Sequence, residues 1–436
     1  MSAPIRLPAE HPLRRRLANE VHARPPVSVA VPGVASAIAL LHGADGDDLA
    51  PLAELARAHG VAFDRPEHPH LILELPGLRV KWERHSEFTS YVFVRGLPGA
   101  RLEDFESLPT AFAALPPDWL ATLPGQTIAA IDVTLLPAGE VSTDEVARRF
   151  AGPTLIGSRV SDGAGRVFTD FQLTADGRSR WLVLDAGFTA GQQARVTQRL
   201  IDIAVYRVMA MLAFPMAREL AAALTATETR LAAITARSAD LAGKALPEAA
   251  REERQLLDEL TQLAADCEKG VAASAFRFSA AQAYWDIVTQ RVAELREARG
   301  GGLQTVGEFL SRRLAPAMAT VVATARRQRE LSARVARAAG LLRTRVDLAR
   351  EEQNQRLLAA MERRGKLSLR LQQTVEGLSV AAITYYAVGL VAYLAKPLAR
   401  VWPVLEPEWI TAASIPVLAF AIWRGVHRIR RELTGA

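Results

Sequence analysis

Seven of the eight histidines fall before residue 90: His11, His22, His42, His59, His68, His70 and His85. Imidazole titrates near neutral pH and is the commonest protein metal ligand, so its neighbours decide what it can do. Two segments set it among charged side chains: Glu20, His22 and Arg24 in NEVHARPP (19–26), and Glu83, His85 and Glu87 in KWERHSEFTSY (81–91). On a strand, alternation puts Glu83, His85 and Glu87 on one face, with Trp82, Arg84 and Phe88 at or near the other. Carboxylates on either side of an imidazole favour its charged or metal-bound form. These six residues are the candidate ligand or metal site, and the bland alternative is a surface strand face held by cross-strand ion pairs.

Other chemistry is sparse. The chain has no Walker A loop, no His-Glu-x-x-His and no Gly-x-Ser-x-Gly, and Gly163-x-Gly165 lacks the third glycine of a dinucleotide fingerprint. The single cysteine, Cys267, excludes an internal disulfide and a Cys-rich zinc site. No catalytic residue is assigned and no cofactor is expected.

The elements that would position these residues follow from pattern. Up to about residue 190, short runs rich in β-branched and aromatic residues alternate with turns. The expected strands are Ala35–Leu41, Leu71–Leu75, Arg79–Glu83, Thr89–Arg95, Ile128–Leu136, Gly165–Leu173 and Arg180–Asp185. Asp162-Gly163 and Asp176-Gly177 read as hairpin turns. Asp48 to His59 is an amphipathic helix, and Ser142 with Glu145 forms a capping box. Hairpins dominate, so 1–190 reads as an α+β domain rather than a doubly wound parallel sheet.

Residues 191–376 change character. Gln192 to Ala242 is helical in period with a break near Pro215, Pro247 to Arg299 is a second helix ended by Gly300 to Gly302, and Leu303 to Glu376 is a third, rich in good helix formers. Together they predict a long antiparallel helical bundle and stalk. Phe276, Phe278, Tyr284 and Trp285 on these helices are read as core packing rather than base-stacking groups, and no nucleic-acid partner is expected. In the stalk Val335, Val346 and Leu357 recur every eleven residues, the period of a nearly straight or slightly right-handed association. The stalk holds 15 Lys and Arg against 7 Asp and Glu, more excess charge than the +6 of the whole chain.

Gly377 to Ala395 is a run of 19 uncharged residues, about 28 Å long as a helix, and matches the apolar thickness of a bilayer. Trp409 to Trp423 is a second run of 15, with Pro416 inside it and Trp409, Trp423 and Arg424 as interfacial anchors. Residues 377–423 therefore read as a two-helix transmembrane hairpin, followed by a basic tail at 424–436. Arg356, Arg363, Arg364, Lys366 and Arg370 precede the first run, and Arg424, Arg428, Arg430 and Arg431 follow the second. Between the runs Lys396 and Arg400 cancel Glu406 and Glu408, so the positive-inside rule puts both termini in the cytoplasm. The N-terminus has no apolar stretch of the kind a secretory signal peptide carries.

NEVHARPP (19–26), KWERHSEFTSY (81–91), YRVMAML (206–212) and QQTVEGLSV (372–380) resemble the hallmarks of an uncharacterised bacterial family of membrane-anchored proteins carrying a domain of unknown function. The resemblance runs from about residue 10 to about 430 and implies residence in the bacterial inner membrane, with no activity to carry over. The order of parts also looks like that of CorA-type divalent-cation channels, which implies a first span lining a pore through Ser379, Thr384, Tyr385 and Gly389. That family's Gly-Met-Asn signature is absent, and YLAKP (393–397) stands in its place. The leading expectation is a non-enzymatic, membrane-anchored protein that faces the cytoplasm, forms homo-oligomers through its stalk and presents its N-terminal domain to a protein partner. A channel with a non-standard filter and an enzyme or metal-binding protein are the alternatives.

Overall fold

The computed structural model describes residues 8–15, 17, 26–42, 46–241, 246–401 and 407–434. Among these residues, eight strands form one sheet: β1 (Gly33–Leu41), β2 (His70–Leu75), β3 (Leu78–Arg84), β4 (Phe88–Gly96), β5 (Gln126–Pro137), β6 (Ile156–Val160), β7 (Gly165–Leu173) and β8 (Ser179–Asp185). Their spatial order is β2-β3-β4-β1-β5-β8-β7-β6. Every neighbouring pair is antiparallel except β5 with β8. The α+β reading holds, with one strand more than the pattern predicts.

The helices are α1 (Ala50–Ala58), α2 (Thr143–Ala147), α3 (Ala190–Met211), α4 (Ala213–Asp240), α5 (Leu246–Leu295), α6 (Val306–Arg313), α7 (Ala315–Val401) and α8 (Pro407–Thr434). Their bounds follow local chemistry. Thr189 with Gln192 and Thr305 with Glu308 close capping boxes at the starts of α3 and α6. Pro215 sits in the first turn of α4, where its missing N–H costs nothing, and Pro316 does the same in α7. The expected break near Pro215 therefore falls just upstream, at Leu212.

Both faces of the sheet are covered, which is why its central strands read as continuous apolar runs. On one face Ala35, Ala37, Val92, Val133, Trp181 and Val183 pack against Val196, Leu200, Ile203 and Ala204 of α3, and the same core takes in Phe278 and Tyr284 of α5, Leu310 of α6 and Val321 of α7. On the other, Ile38, Val80, Trp82, Tyr91 and Phe93 pack under Leu52 and Leu55 of α1 and the one-turn helices Ala111–Ala114 and Trp119–Thr122. A smaller cluster joins Leu182 and Leu184 to Val146 and Phe150.

The chain divides into two compact units, one of residues 1–237 with 258–339, the other of residues 238–257 with 340–436. In the first, α5 runs antiparallel to α3, with Arg291 bonded to Asp202 and Arg199 to Glu294. It also runs antiparallel to α7, with Ser274 bonded to Gln328 and Ser332 to Glu268. Phe278, Tyr284 and Trp285 are in or against the core, as expected, but Phe276 points outward and is 65% exposed. In the second unit Arg345 bonds Glu253 at 3.3 Å, and Leu342 and Val346 are the last buried apolar residues of α7 before residue 350. From 350 to 375 every side chain of α7 is exposed.

Candidate functional site

The candidate residues Glu20, His22 and Arg24 lie outside the described residues. The other three are described and are not one cluster. Strand β3 ends at Arg84, and a tight turn closes the β3–β4 hairpin, with the His85 N–H bonded to the Phe88 carbonyl at 2.8 Å. Alternation therefore stops before His85. Glu83 is buried and pairs with the Lys81 ammonium at 3.1 Å. Glu87 reaches α5, where it pairs with Arg277 and accepts a hydrogen bond from the Tyr284 hydroxyl at 2.6 Å. The His85 ring stacks on Phe88 at 4.3 Å and meets the edge of Tyr206 at 6.2 Å. No group of three or more His, Cys, Asp or Glu side chains suited to a metal occurs among the described residues.

The structure instead builds two buried polar networks that periodicity alone does not reveal. In the first, Lys81 bonds Gln198 at 3.1 Å, Gln198 bonds Asp202 at 2.8 Å, Asp202 accepts from Arg291 at 2.7 Å, and Arg291 and Arg199 both hold Glu294 at 3.0 Å. Burial pushes the Asp202 carboxyl up, against the pull of Gln198 and Arg291. This network stitches β3 to α3 and α5, and its charges are partnered, which is the mark of a structural device.

The second lies on the other face. Ser36 and Asp132 stand directly opposite each other on β1 and β5, the Ser36 hydroxyl donates to the Asp132 carboxylate, and Arg178 pairs with its other oxygen. The Ala111 N–H donates to Ser36 at 2.9 Å, so the one-turn helix Ala111–Ala114 hangs on the same network. Burial pushes Asp132 up although Ser36 and Arg178 oppose it. A cavity of about 310 Å³ opens here, lined by Thr110, Thr134, Asp132, Asp176 and Arg178 among others. A serine held by a carboxylate and an amide, without an imidazole base within the network, lacks the parts of an activated nucleophile.

The C-terminal helices carry the most distinctive surface. Among the described residues, three helical stretches are long and apolar enough to cross a membrane: Ala190–Asp240, Val306–Lys396 and Glu408–Arg428. They differ in what covers them. Half of the most apolar window of the first is buried within the protein, against 6% for the second and 0% for the third. Leu378, Tyr385, Tyr386, Leu390, Tyr393 and Leu394 of α7 are each at least 65% exposed, and so are Trp409 and Val417 of α8. The Ser379 hydroxyl bonds back to Val375 and that of Thr384 to Val380, so both are spent on their own helix. Tyr385 and Gly389, one turn apart, share a side of α7, whereas Ser379 and Thr384 are about 140° apart on it.

The family described as protein of unknown function (DUF3422) matches residues 9–433. The chain belongs to this family. The match covers the sheet, the long helices and both exposed apolar stretches as one unit of descent. No curated protein and no solved structure matches the chain. The likeness to CorA-type channels therefore rests on the order of elements alone.

Proposed function

We propose that this family member is a membrane-anchored protein held by two helical spans, residues 377–395 of α7 and 409–423 of α8, with its folded sheet-and-helix part in the cytoplasm. The carrying observation is the difference in cover between helices that are all apolar enough to span a bilayer. Half of the window in Ala190–Asp240 is buried in a protein core, while those in α7 and α8 are almost wholly uncovered and expose tyrosine, tryptophan and leucine together. Exposed apolar area on that scale needs another apolar phase, and a bilayer supplies one. Basic residues on the outer flank of each stretch fit a cytoplasmic placement of both termini.

On this reading the protein is an interaction or scaffold protein rather than an enzyme, and it acts as a homo-oligomer. Leu357, Met361, Leu371 and Val375 lie on one side of the exposed part of α7 and are each at least 56% exposed. A second copy of the same helix covers such a stripe by burying like against like. A cytoplasmic protein is the partner its sheet domain would present itself to.

The test is chemical. Membranes containing the full chain are washed at alkaline pH, and the chain stays in the pellet. In a Cys267→Ser background, Lys396→Cys is labelled by an impermeant maleimide applied to intact cells. Release into the wash would defeat the anchor, and absence of label at position 396 with label at a control position outside would defeat the hairpin topology.

A further inference from the structure

An arginine-lined cavity sits at the β6 edge of the sheet. Residues 296–305 pass along this edge and extend the sheet, with Arg159 exchanging backbone hydrogen bonds with Ala298 at 2.9 and 2.8 Å and the Gly157 N–H donating to Gln304 at 3.1 Å. The cavity so formed has a volume of about 410 Å³ and contains Arg159, Arg166 and Arg299 in its wall, with Thr143 beside them. No residue lining it carries a carboxylate.

Two features set this cluster apart from an ordinary solvated charge patch. Arg159 and Arg166 are direct cross-strand partners on β6 and β7, so they stand on the same face at the closest spacing the sheet allows. Like charges so placed repel, and proteins usually relieve this with an intervening carboxylate. Here neither arginine has a carboxylate partner among the described residues, and Arg166 is committed only to the Val141 carbonyl at 3.1 Å and the face of Phe168. The second feature is the fit of the loop. A Cβ on Gly301, which has φ +62°, would come 2.2 Å from the Thr143 hydroxyl, and one on Gly157 would come 2.6 Å from the Phe168 ring. The glycines let residues 296–305 lie close against β6 and Thr143, so the loop holds one place beside the arginines.

We propose that this cavity binds a phosphate monoester dianion. Guanidinium groups present paired N–H donors in a planar fork that matches phosphate oxygens, and the two unpaired ones, Arg159 and Arg166, around one dianion neutralise it while ending their own repulsion. Arg159 and Arg166 grip the phosphate from the sheet. Arg299, paired with Glu308 through its Nε at 2.7 Å, has its Nη1 donors left to offer from the loop, and the Thr143 hydroxyl adds a neutral donor. The phosphate belongs either to a free phosphorylated metabolite or to a lipid headgroup, and the chemistry of the grip is common to both.

The experiment uses the full chain in detergent micelles, with inorganic phosphate and water-soluble dibutanoyl phosphatidic acid as probes in parallel calorimetric titrations. At least one probe binds, and Arg159→Ala and Arg166→Ala each weaken it by about tenfold or more, whereas Arg57→Ala, on α1 away from the cavity, leaves it unchanged. Tighter binding of the lipid probe by tenfold assigns a headgroup, and comparable binding of the two assigns a free phosphate. A thermal readout guards against loss of fold: without phosphate, Arg159→Ala melts about 1–2 °C higher than the parent because the like-charge pair is gone, and phosphate no longer raises its melting temperature. Binding of both probes that is absent, or that survives Arg159→Ala and Arg166→Ala undiminished, overturns the proposal.

Discussion

The hydroxyl of Tyr284 donates to the carboxylate of Glu87 at 2.6 Å, joining residues 197 positions apart in sequence. Arg277 holds the same carboxylate, so a single side chain at the tip of the β3–β4 hairpin fixes where α5 lies on the sheet. Phe88, Tyr206 and Tyr284 pack ring to ring around it.

That bond sets a pH dependence. Burial, helped by the Glu87 carboxylate, pushes the Tyr284 phenol up to about 12, from an ordinary value of about 10. A raised phenol gives a contribution that is whole below the unfolded value and lost as pH climbs through the folded one. Stability measured by denaturant titration should thus fall between about pH 10 and about pH 12, and Tyr284→Phe should flatten that part of the fall. At neutral pH the same substitution removes a donor from a buried charge and costs about 1.5–3 kcal/mol.

Glu83→Ala should be severe. It leaves the Lys81 ammonium, 2% exposed, with the Gln198 amide as its direct partner and the Asp202 carboxylate one step beyond, and the expected loss is about 3–5 kcal/mol. The paired replacement Lys81→Met with Glu83→Leu removes both charges and should recover most of it, as read from urea midpoints of the three variants. A double variant as unstable as Glu83→Ala would show that the pair itself, rather than an orphaned charge, sustains the fold.

If copies of the chain meet through the exposed stripe of α7, Leu357→Asp with Met361→Asp should shift the detergent-corrected native mass toward the monomer while leaving far-ultraviolet dichroism unchanged. A mass that does not move would place the contact elsewhere.

Gly301→Ala should cost about 1–3 kcal/mol, since a side chain there combines a left-handed backbone with a collision at Thr143. Amide exchange localises the damage. The N–H groups of Gly157 and Arg159, bonded to Gln304 and Ala298, should exchange faster, while those of β1 keep their protection.

Much of the fold was legible because burial on both faces leaves strong apolar runs, and seven strands fall within a residue or two of their expected bounds. β6 was missed for a physical reason: IGSRV is short, and Gly157, Ser158 and Arg159 break its apolar run, their places being set by the returning loop and not by the strand itself. The candidate cluster at Glu83, His85 and Glu87 assumed that alternation continues, and a turn at Ser86 and Glu87 ends it. Lys81 and Asp132 gave no signal, since periodicity assigns charged residues to the surface and only long-range partners, among them the half-buried Arg178, reveal that they are inside.

The edge-sealing loop has a bearing on how the chain is made. β6 is completed by residues up to Gln304, and the main core draws its last members from α6 and α7, ending at Val321. The uncovered apolar stretch begins only at residue 377. At roughly 5–20 residues per second of synthesis, several seconds separate the emergence of the two. The sheet can thus gain its final edge and its full helical cover while the sticky segments are still unmade, and the order of translation keeps the apolar surface of one from competing with the core of the other.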